Sequence, residues 1–331
     1  MKRATIKDVA REAGVSISTV SNALNNAGVI SEKTRAHVLE VAERLHYIPN
    51  RSGQSLRAKE NKAIGFFVEE ISGPYYGDLV DNLHRACRER GYELYIFIIN
   101  GDETIRQKLL GGEVSGAIFF CPVSEHTSEM LNNAGVPVVY LNDDKQAENV
   151  SSIMFNSFHA GKMAAEYLIG LGHKRLMHIR GNAENFDSIR REEGMRSAME
   201  AAGLQLEEDY CIEGRFSRKA AYASMRRFLM SGLPLPDAVF ASNDLSAYGC
   251  LEALRDAGYR VPEDVSLIGC DDIDYCEIST PQMTTIRTSF YTQGVKALNM
   301  LVDMMDGKQS GERCIVEGQL IIRGSCQAKE R

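Results

Sequence analysis

The chain has 331 residues, a net charge of −7, 44% hydrophobic residues and 25% charged residues. This length predicts two or three domains, and the composition is typical of soluble globular proteins. No apolar run approaches a membrane span, no signal sequence opens the chain, and the 8 cysteines lack zinc-ligand and disulfide-framework spacing, which excludes membrane, secreted and zinc-finger classes.

Charge is divided unevenly along the chain. Residues 1–62 carry 11 Lys and Arg against 6 Asp and Glu, whereas the remaining residues carry 27 against 39. A basic segment that precedes an acidic body predicts that only this segment meets an anionic polymer.

The first elements are two short helices in ATIKDVAREAGVSISTVSNALN, residues 4–25. Thr5 caps the first helix, Gly14 ends it, and Ser16 caps the second. Two helices hinged on a glycine predict a helix-turn-helix, whose second helix enters the major groove of DNA. Asn22 can bond adenine and Ile17 can contact a thymine methyl group. The candidate DNA contacts here are Thr5, Ser16, Ile17, Ser18, Thr19, Ser21, Asn22 and Asn25.

A third helix starts at the Ser31 cap and closes a small core. Its inward side chains are predicted to be Val38, Leu39, Val41, Ala42 and Leu45. The alternative interpretation of the three helices is a helical unit that contacts only other proteins.

From residue 63 onward, short apolar runs alternate with amphipathic helical stretches. The predicted strands are AIGFFV, ELYIFII, GAIFFC, PVVYLN, RLMHI, AVFAS and VSLIGC. Strands that alternate with helices predict parallel sheets, with function in the loops beyond the carboxyl ends of the strands. No G-x-G-x-x-G or Walker motif occurs, so no nucleotide cofactor and no metal is expected.

The segment HYIPNRSGQSLRAKENKAIGFFV follows the third helix. Together with TIKDVAREAGVSISTVSNALN it resembles the lactose-repressor/galactose-repressor (LacI/GalR) family of bacterial transcription regulators. The resemblance implies a hinge that folds into a short helix on the operator, where the matching Leu56 wedges into the minor groove beside Arg57. It also implies DNA contacts from Tyr47, Asn50, Arg51 and Gln54.

The resemblance continues through HAGKMAAEYLIGLGHKRLMHIRG and FASNDLSAYGCLEALRDAGYRVPEDVSLIGCDDID. It implies an all-α helix-turn-helix head and an α/β core of two Rossmann-like lobes, built like a periplasmic sugar-binding protein. The expected head is 1–49, the hinge 50–62 and the core 63–331. Within the core, one lobe takes about 63–158 and 289–317, and the other takes about 159–288 and 318–331.

Ligand positions carried over from the family form a short set. They are Tyr75, Tyr76, Asn142, Arg191, Asn243, Asp271 and Phe290. A guanidinium, a carboxylate and amides that converge with aromatic faces suit a polyhydroxylated ligand. Three alternatives remain open: Arg191 pairs only with Glu192 or Glu193, the aspartates of GCDDID cap the next turn, and the two tyrosines pack in an interface.

The predicted function is a repressor that binds a pseudo-palindromic operator as a homodimer in the cytoplasm, associated with the nucleoid, under control of a sugar or glycoside. A purine corepressor or a phosphoprotein partner is the alternative within the same architecture, and a solute-binding transport module is a more distant one. An enzyme is not expected, because His159, His173 and His178 lack an accompanying nucleophile or carboxylate pair.

Overall fold

The computed structural model describes residues 5–24, 30–45, 61–71, 73–288, 290–309 and 311–329. The chain divides into two compact units, Met1–Asn61 and Lys62–Arg331. Within the described ranges, no helix has the length and apolar character needed to cross a membrane.

The first unit is a three-helix head with α1 (Ile6–Ala13), α2 (Ile17–Leu24) and α3 (Glu32–Arg44). Val9, Val20 and Val38 are fully buried between the helices. Gly14 ends α1 in the left-handed region, with φ 65°, and its N–H bonds back to the last carbonyls of the helix. The predicted helix-turn-helix is confirmed.

Leu39 is an exception to the predicted core of the head, because its side chain is 46% exposed. Val38, Val41 and Ala42 are buried at the spacing of one helical face. Leu39 lies about 100° further around the helix from Val38, which turns it away from that face. Placing Leu39 in the core was therefore wrong.

The second unit alternates strands and helices throughout. In chain order its elements are β1 (Ala63–Val68), α4 (Pro74–Glu89), β2 (Glu93–Ile98), α5 (Asp102–Leu110), β3 (Gly116–Phe120), α6 (Glu125–Asn133), β4 (Val138–Leu141), β5 (Val150–Phe155), α7 (Ser157–Gly170), β6 (Leu176–Arg180), α8 (Phe186–Ala201), a 3-10 helix (Glu208–Tyr210), β7 (Cys211–Glu213), α9 (Arg218–Met230), β8 (Ala238–Ala241), α10 (Asp244–Asp256), β9 (Ser266–Asp271), α11 (Tyr275–Ile278), β10 (Thr284–Arg287), α12 (Phe290–Met305), β11 (Arg313–Val316) and β12 (Gln319–Ile321).

These strands form two sheets, which define two lobes. The first lobe has the order β11-β5-β4-β3-β1-β2, and every neighbouring pair is parallel. The second lobe has the order β12-β10-β9-β8-β6-β7, in which β12 alone runs antiparallel to its neighbour. The predicted α/β core with parallel sheets is thereby confirmed.

The sequence predicted the strands that form unbroken apolar runs. All six residues of β1 are buried, which explains its unbroken apolar run. Strands β5, β7, β10, β11 and β12 were not predicted. In β5 the buried pair Ser151 and Ser152 interrupts the apolar pattern, and Ser151 uses its hydroxyl to accept a 2.9 Å hydrogen bond from the N–H of Glu312.

The chain passes between the lobes three times. The first passage, at Asn156, and the third, at Glu317, are joined by a 2.8 Å hydrogen bond from Asn156 Nδ2 to Glu317 Oε1. His159 Nδ1 lies 2.7 Å from the other oxygen of Glu317. The first and third passages are therefore tied to each other.

Candidate ligand-binding and DNA-contacting sites

The amino end of α2 presents a cluster of hydroxyl groups. Ser16 Oγ accepts a 3.1 Å hydrogen bond from the N–H of Thr19 and caps the helix. The same oxygen lies 2.7 Å from Ser18 Oγ and 2.8 Å from Thr19 Oγ1. Ile17 is 46% exposed and Asn22 is exposed, as expected for side chains that reach into a groove.

Ser21 and Thr5 are placed differently. Ser21 is half-buried on α2. Thr5 precedes α1, and both its N–H and its hydroxyl donate to the Asp8 carboxylate, at 2.9 and 2.7 Å. These bonds lower the pKa of Asp8. Thr5 therefore serves first as part of a capping box. The remaining predicted DNA contacts lie outside the described residues: Asn25, Tyr47, Asn50, Arg51, Gln54, Leu56 and Arg57.

The carboxyl ends of the strands carry unusual backbone conformations. The five non-glycine residues with positive φ in the described part of the chain are Asn142, Arg215, Phe216, Asp271 and Asp272. Each lies at or just after the end of β4, β7 or β9. Such conformations are costly and concentrate where function requires them. They therefore mark this edge of both sheets as the candidate cleft.

Aromatic rings cover the first-lobe side of the cleft. Tyr75, in the first turn of α4, stacks on Phe120 at the end of β3, with ring centroids 5.3 Å apart. Tyr76 meets Tyr75 edge-on at 5.5 Å. Burial raises the pKa of Tyr75 well above its ordinary value, and the nearby carboxylates Asp187 and Asp271 of the second lobe raise it further. Tyr75 therefore faces the acidic groups of the other lobe.

Asn142 holds an unused acceptor at the end of β4. Its φ is 57°, and its N–H bonds the carbonyl of Ile153 at 2.8 Å. Its Oδ1 is buried without a hydrogen bond among the described residues. A buried acceptor without a donor is costly, which suggests a ligand donor.

Arg191 is the charged centre of the second-lobe side. It is 6% exposed, lies on α8, and donates from Nη1 to the carbonyl of Ser242. Its guanidinium lies 5.7 Å from the ring centroid of Phe155 and 5.9 Å from that of Phe216. Its Nε is buried and has no hydrogen-bond partner among the described residues. The Nε–H group is thus left for a ligand.

The surroundings of Arg191 are acidic. Burial alone lowers the pKa of Arg191, but Cys270, Asp187 and Asp271 outweigh it and the pKa is raised. Asp271, 9% exposed at the end of β9, has a pKa raised well above its ordinary value by burial, which Arg191 opposes. The two charges stabilise each other in a buried site.

Asn243 has a structural role in addition to any ligand contact. Its Oδ1 caps α10 by accepting a 2.9 Å hydrogen bond from the N–H of Ser246, and its Nδ2 donates to the carbonyl of Phe216 at 3.1 Å. It therefore fixes the loop that presents the Phe216 ring. Phe290 begins α12, and its side chain is not among the described ones.

Sequence reasoning missed Asp187 and Phe216. Asp187 lies one turn before Arg191 on α8, and its Oδ1 accepts a 2.8 Å hydrogen bond from Ser157 Oγ. The i, i+4 spacing from Arg191 was a signal that could have found it. Phe216 reaches the cleft through a turn with two positive φ angles, 51° and 53°, after Gly214, and no sequence pattern predicts that conformation.

Ion pairs of the neighbouring residues bear on the alternative that Arg191 pairs only with Glu192 or Glu193. Glu192 pairs with Arg180 at 2.5 Å, and Glu193 pairs with Arg190, so Arg191 is not engaged by either carboxylate. Asp272, rather than Asp271, enters ion pairs, with Arg287 at 2.5 Å and with Arg323 at 2.7 Å.

The three histidines have structural partners. His178 is fully buried, its Nδ1 lies 3.1 Å from the Phe240 carbonyl, and burial lowers its pKa to about 4. His173 Nε2 lies 3.0 Å from the carbonyl of Gln327. His159 pairs with Glu317. Ser242 Oγ lies 3.3 Å from His178 Nε2, but both side chains are fully buried, so this pair offers no accessible nucleophile.

Among the described residues, one group of side chains has ligand atoms close enough together to hold a metal ion. Ligand atoms of Glu192, Glu208 and Cys211 lie within 4.8 Å of one another. Arg180 and Arg196 donate hydrogen bonds to both carboxylates, so guanidinium groups already supply the positive charge. The cluster is an ion-pair network that joins α8 to the 3-10 helix.

Comparison with known proteins agrees with this architecture. Residues 5–50 match the bacterial regulatory proteins of the lacI family, and residues 165–326 match a periplasmic binding protein-like domain. The HTH-type transcriptional repressor PurR of Histophilus somni (strain 129Pt) is 33% identical over 97% of this chain and 98% of its own length. The ribose operon repressor of Escherichia coli (strain K12) is 35% identical over 90% of this chain and 92% of its own length.

Among solved structures, the lac repressor dimer bound to operator and the anti-inducer ONPF superposes with a TM-score of 0.82, at 27% identity, over 99% of this chain and 100% of that one. These similarities extend over the head and the core alike. The chain belongs to the LacI family, and it is a ligand-regulated DNA-binding repressor rather than an enzyme.

Proposed function

We propose that the protein binds a pseudo-palindromic operator as a homodimer and that a sugar in the cleft between its lobes controls this binding. The observation that carries the proposal is the Nε of Arg191, which is buried on the second-lobe side without a hydrogen-bond partner among the described residues, while the charges of Arg191 and Asp271 act on Tyr75 of the first lobe. A ligand that bridges the lobes stabilises one relative arrangement of them over another, and it therefore shifts the operator-binding equilibrium.

The head supplies the DNA contacts in this proposal. Ile17, Ser18 and Asn22 on the outer face of α2 read bases, while the hydroxyls at its amino end bond phosphates. The hinge residues Leu56 and Arg57 enter the minor groove by family resemblance. A two-fold dimer then matches a two-fold operator, and the protein works at the nucleoid.

The polar groups of the cleft favour a sugar. Sugar hydroxyls donate to the carboxylate of Asp271 and the Oδ1 of Asn142, and they accept from Arg191 Nε. The aromatic faces of Tyr75 and Phe216 suit the apolar faces of a sugar ring. The similarity to a ribose operon repressor supports the same class of ligand.

A purine corepressor is the second candidate. Flat rings at Tyr75, Phe120 and Phe216 also suit a planar base, and the similarity to PurR repressors supports this possibility. A phosphoprotein partner would instead bind outside the cleft.

A strip of apolar side chains supports the homodimer. Strand β2 is an edge strand of the first-lobe sheet, and Tyr95, Ile96 and Ile98 are exposed along it. Exposed apolar edge strands invite pairing with another chain, so monomers rarely keep them uncovered. A second copy of the chain is the partner that we propose for this strip.

Two measurements test the proposal together. An operator is first selected from random duplex DNA with the full-length protein, and a palindromic consensus is expected. Thermal unfolding is then followed with pentoses, hexoses, disaccharides and purine bases. A sugar that raises the unfolding temperature and also changes operator affinity supports the proposal, whereas a purine that does both favours the second candidate. If no ligand of the set changes the unfolding temperature while operator binding is intact, a protein partner is favoured.

A further inference from the structure

Around Arg191, the described structure has two carboxyl groups for one guanidinium group. Asp187 lies one turn before Arg191 on α8 and Asp271 ends β9, and the charges of all three groups act on Tyr75 of the first lobe. Ser157 Oγ fixes Asp187 Oδ1 at 2.8 Å, which leaves Oδ2 without a hydrogen bond among the described side chains. The carboxylate of Asp271 likewise accepts no hydrogen bond from the described residues, so both aspartates retain acceptors for ligand hydroxyls.

Two other basic groups at the same strand ends, Arg180 and Lys145, are already neutralised, whereas Arg215, after β7, is exposed and pairs with no carboxylate among the described residues. Arg180, at the end of β6, binds Glu192 at 2.5 Å and Glu208 at 2.7 Å. Lys145, after β4, donates to the carbonyl of Val123 at 2.5 Å and pairs with Asp143 at 3.7 Å. These side chains are committed within the protein and do not add net positive charge for a ligand.

Further acidic residues lie beyond the carboxyl ends of strands in both lobes. Glu69 and Glu70 follow β1, and after burial they are the main groups that raise the pKa of Tyr76, to about 12. Asp244 lies beneath Asp271, accepting hydrogen bonds from Thr285 Oγ1 at 2.7 Å and from the N–H of Ile273 at 3.0 Å. An anionic ligand would therefore meet carboxyl groups on both lobes.

From these observations we propose that Asp187 is a specificity-determining residue that makes the cleft select an uncharged ligand and reject its phosphorylated form. The inference rests on the proposed function, since it concerns the same cleft. A neutral sugar or base satisfies the unbonded Arg191 Nε and the two carboxylates with hydroxyl or N–H groups. A phosphate dianion could pair with Arg191, but it would also lie close to the half-buried carboxylate of Asp187 and the buried carboxyl group of Asp271, which is unfavourable in a poorly solvated site.

The test uses matched pairs of ligands with the full-length protein. Isothermal titration compares D-ribose with D-ribose 5-phosphate, D-glucose with D-glucose 6-phosphate, and hypoxanthine with inosine 5′-monophosphate. The wild-type protein is expected to bind the neutral member of one pair at least about 100-fold more tightly than its phosphorylated partner. Asp187→Asn keeps the size of the side chain and its acceptor for Ser157, and it is expected to reduce that ratio about tenfold or more by strengthening phosphate binding.

The control variant is Asp264→Asn, which makes the same change of net charge at the amino end of β9, where Asp264 pairs with Arg260 at 2.9 Å. It should leave the ratio unchanged. Tighter binding of a phosphorylated ligand by the wild type, or an unchanged ratio in Asp187→Asn, overturns the inference. Failure of every neutral ligand to bind also overturns it, and operator binding measured on the same preparation then shows whether the repressor function still stands.

Discussion

Gly161 on α7 lies directly against the backbone carbonyl of Arg191 on α8, so closely that a Cβ atom at position 161 would overlap it. Gly194 on α8 repeats the arrangement against the carbonyl of Phe158 on α7. The two glycines allow the helices to approach at backbone contact. Because α7 begins at the first passage between the lobes, the helix that carries Arg191 is coupled rigidly to that passage.

Gly161→Ala is expected to force α7 and α8 apart. Overpacking of this kind destabilises a protein by about 1–3 kcal/mol and would also displace Arg191. Chemical denaturation should show the lower stability, and titration should show weaker ligand binding. Gly170→Ala, at the end of the same helix with open space around it, should change stability by less than about 1 kcal/mol. Equal stability of the two variants would contradict the tight contact.

Arg191→Ala is expected to abolish the ligand response and leave operator binding intact. Hydrogen bonds to charged groups contribute about 1.5–3 kcal/mol each, so ligand affinity should fall by about 10- to 100-fold or more. Titration of ligand and fluorescence anisotropy of labelled operator measure the two effects separately. Arg190→Ala removes a neighbouring ion pair with Glu193 and serves as the control. Unfolding of Arg191→Ala would assign this residue to the fold instead of the cleft.

Asn22→Ala is expected to relax base preference at one position of each operator half-site. Loss of a bidentate contact to adenine costs about 1–3 kcal/mol at that position only. Affinities for a set of single-base operator variants measure the effect. Glu43→Ala, on the exposed side of α3, should change binding by a similar factor for all sequences. A uniform loss in Asn22→Ala would mean that this residue contacts phosphate.

His178 predicts a loss of stability in mild acid. Burial lowers its pKa from 6.5 to about 4, so the folded state disfavours the proton that the unfolded state accepts. Its contribution to the free energy of unfolding is complete above pH 6.5 and is lost as the pH falls towards 4, by about 3 kcal/mol. Urea unfolding at several pH values should therefore show a shallower slope over this range in His178→Gln than in wild type. Identical slopes would argue against a neutral buried imidazole.

Ile98→Asp is expected to convert the dimer to a monomer. Ile98 is 58% exposed on the edge strand β2, and a charge there blocks pairing with a second copy. Light scattering after size-exclusion chromatography measures the mass. Met230→Asp, exposed on α9 in the other lobe, is the control and should remain dimeric. If the wild-type protein is itself a monomer, the proposal that β2 forms a dimer interface is contradicted.

The sequence could predict those parts of the fold that depend on local patterns. Strand β1 was evident because both of its faces are buried, and α1 was evident because its periodicity ends at Gly14. Strand β5 was not evident, because the two serines Ser151 and Ser152 make its sequence look polar. Both are buried in the sheet, and the hydrogen bond of Ser151 that permits this is visible only in the structure.

The residues of the candidate cleft also fall into two groups, those that the sequence predicts and those that only the structure shows. Arg191 and Asp271 follow from family motifs, and the structure places both near Tyr75. Phe216 depends on two consecutive positive φ angles, and the double role of Asn243 depends on that same turn. Backbone conformation of this kind is decided by the whole fold and leaves no periodic trace in the chain.

The three passages between the lobes have a consequence for synthesis on the ribosome. The sheet of the first lobe is completed only by β11 and that of the second only by β12, both from residues 313–321 near the carboxyl terminus. Neither lobe can therefore finish folding while the nascent chain is shorter than this. A polypeptide that stops early would expose β5 and β10 as open edges, which makes such fragments prone to aggregation and degradation. Chains that reach the full length thus acquire both lobes almost simultaneously.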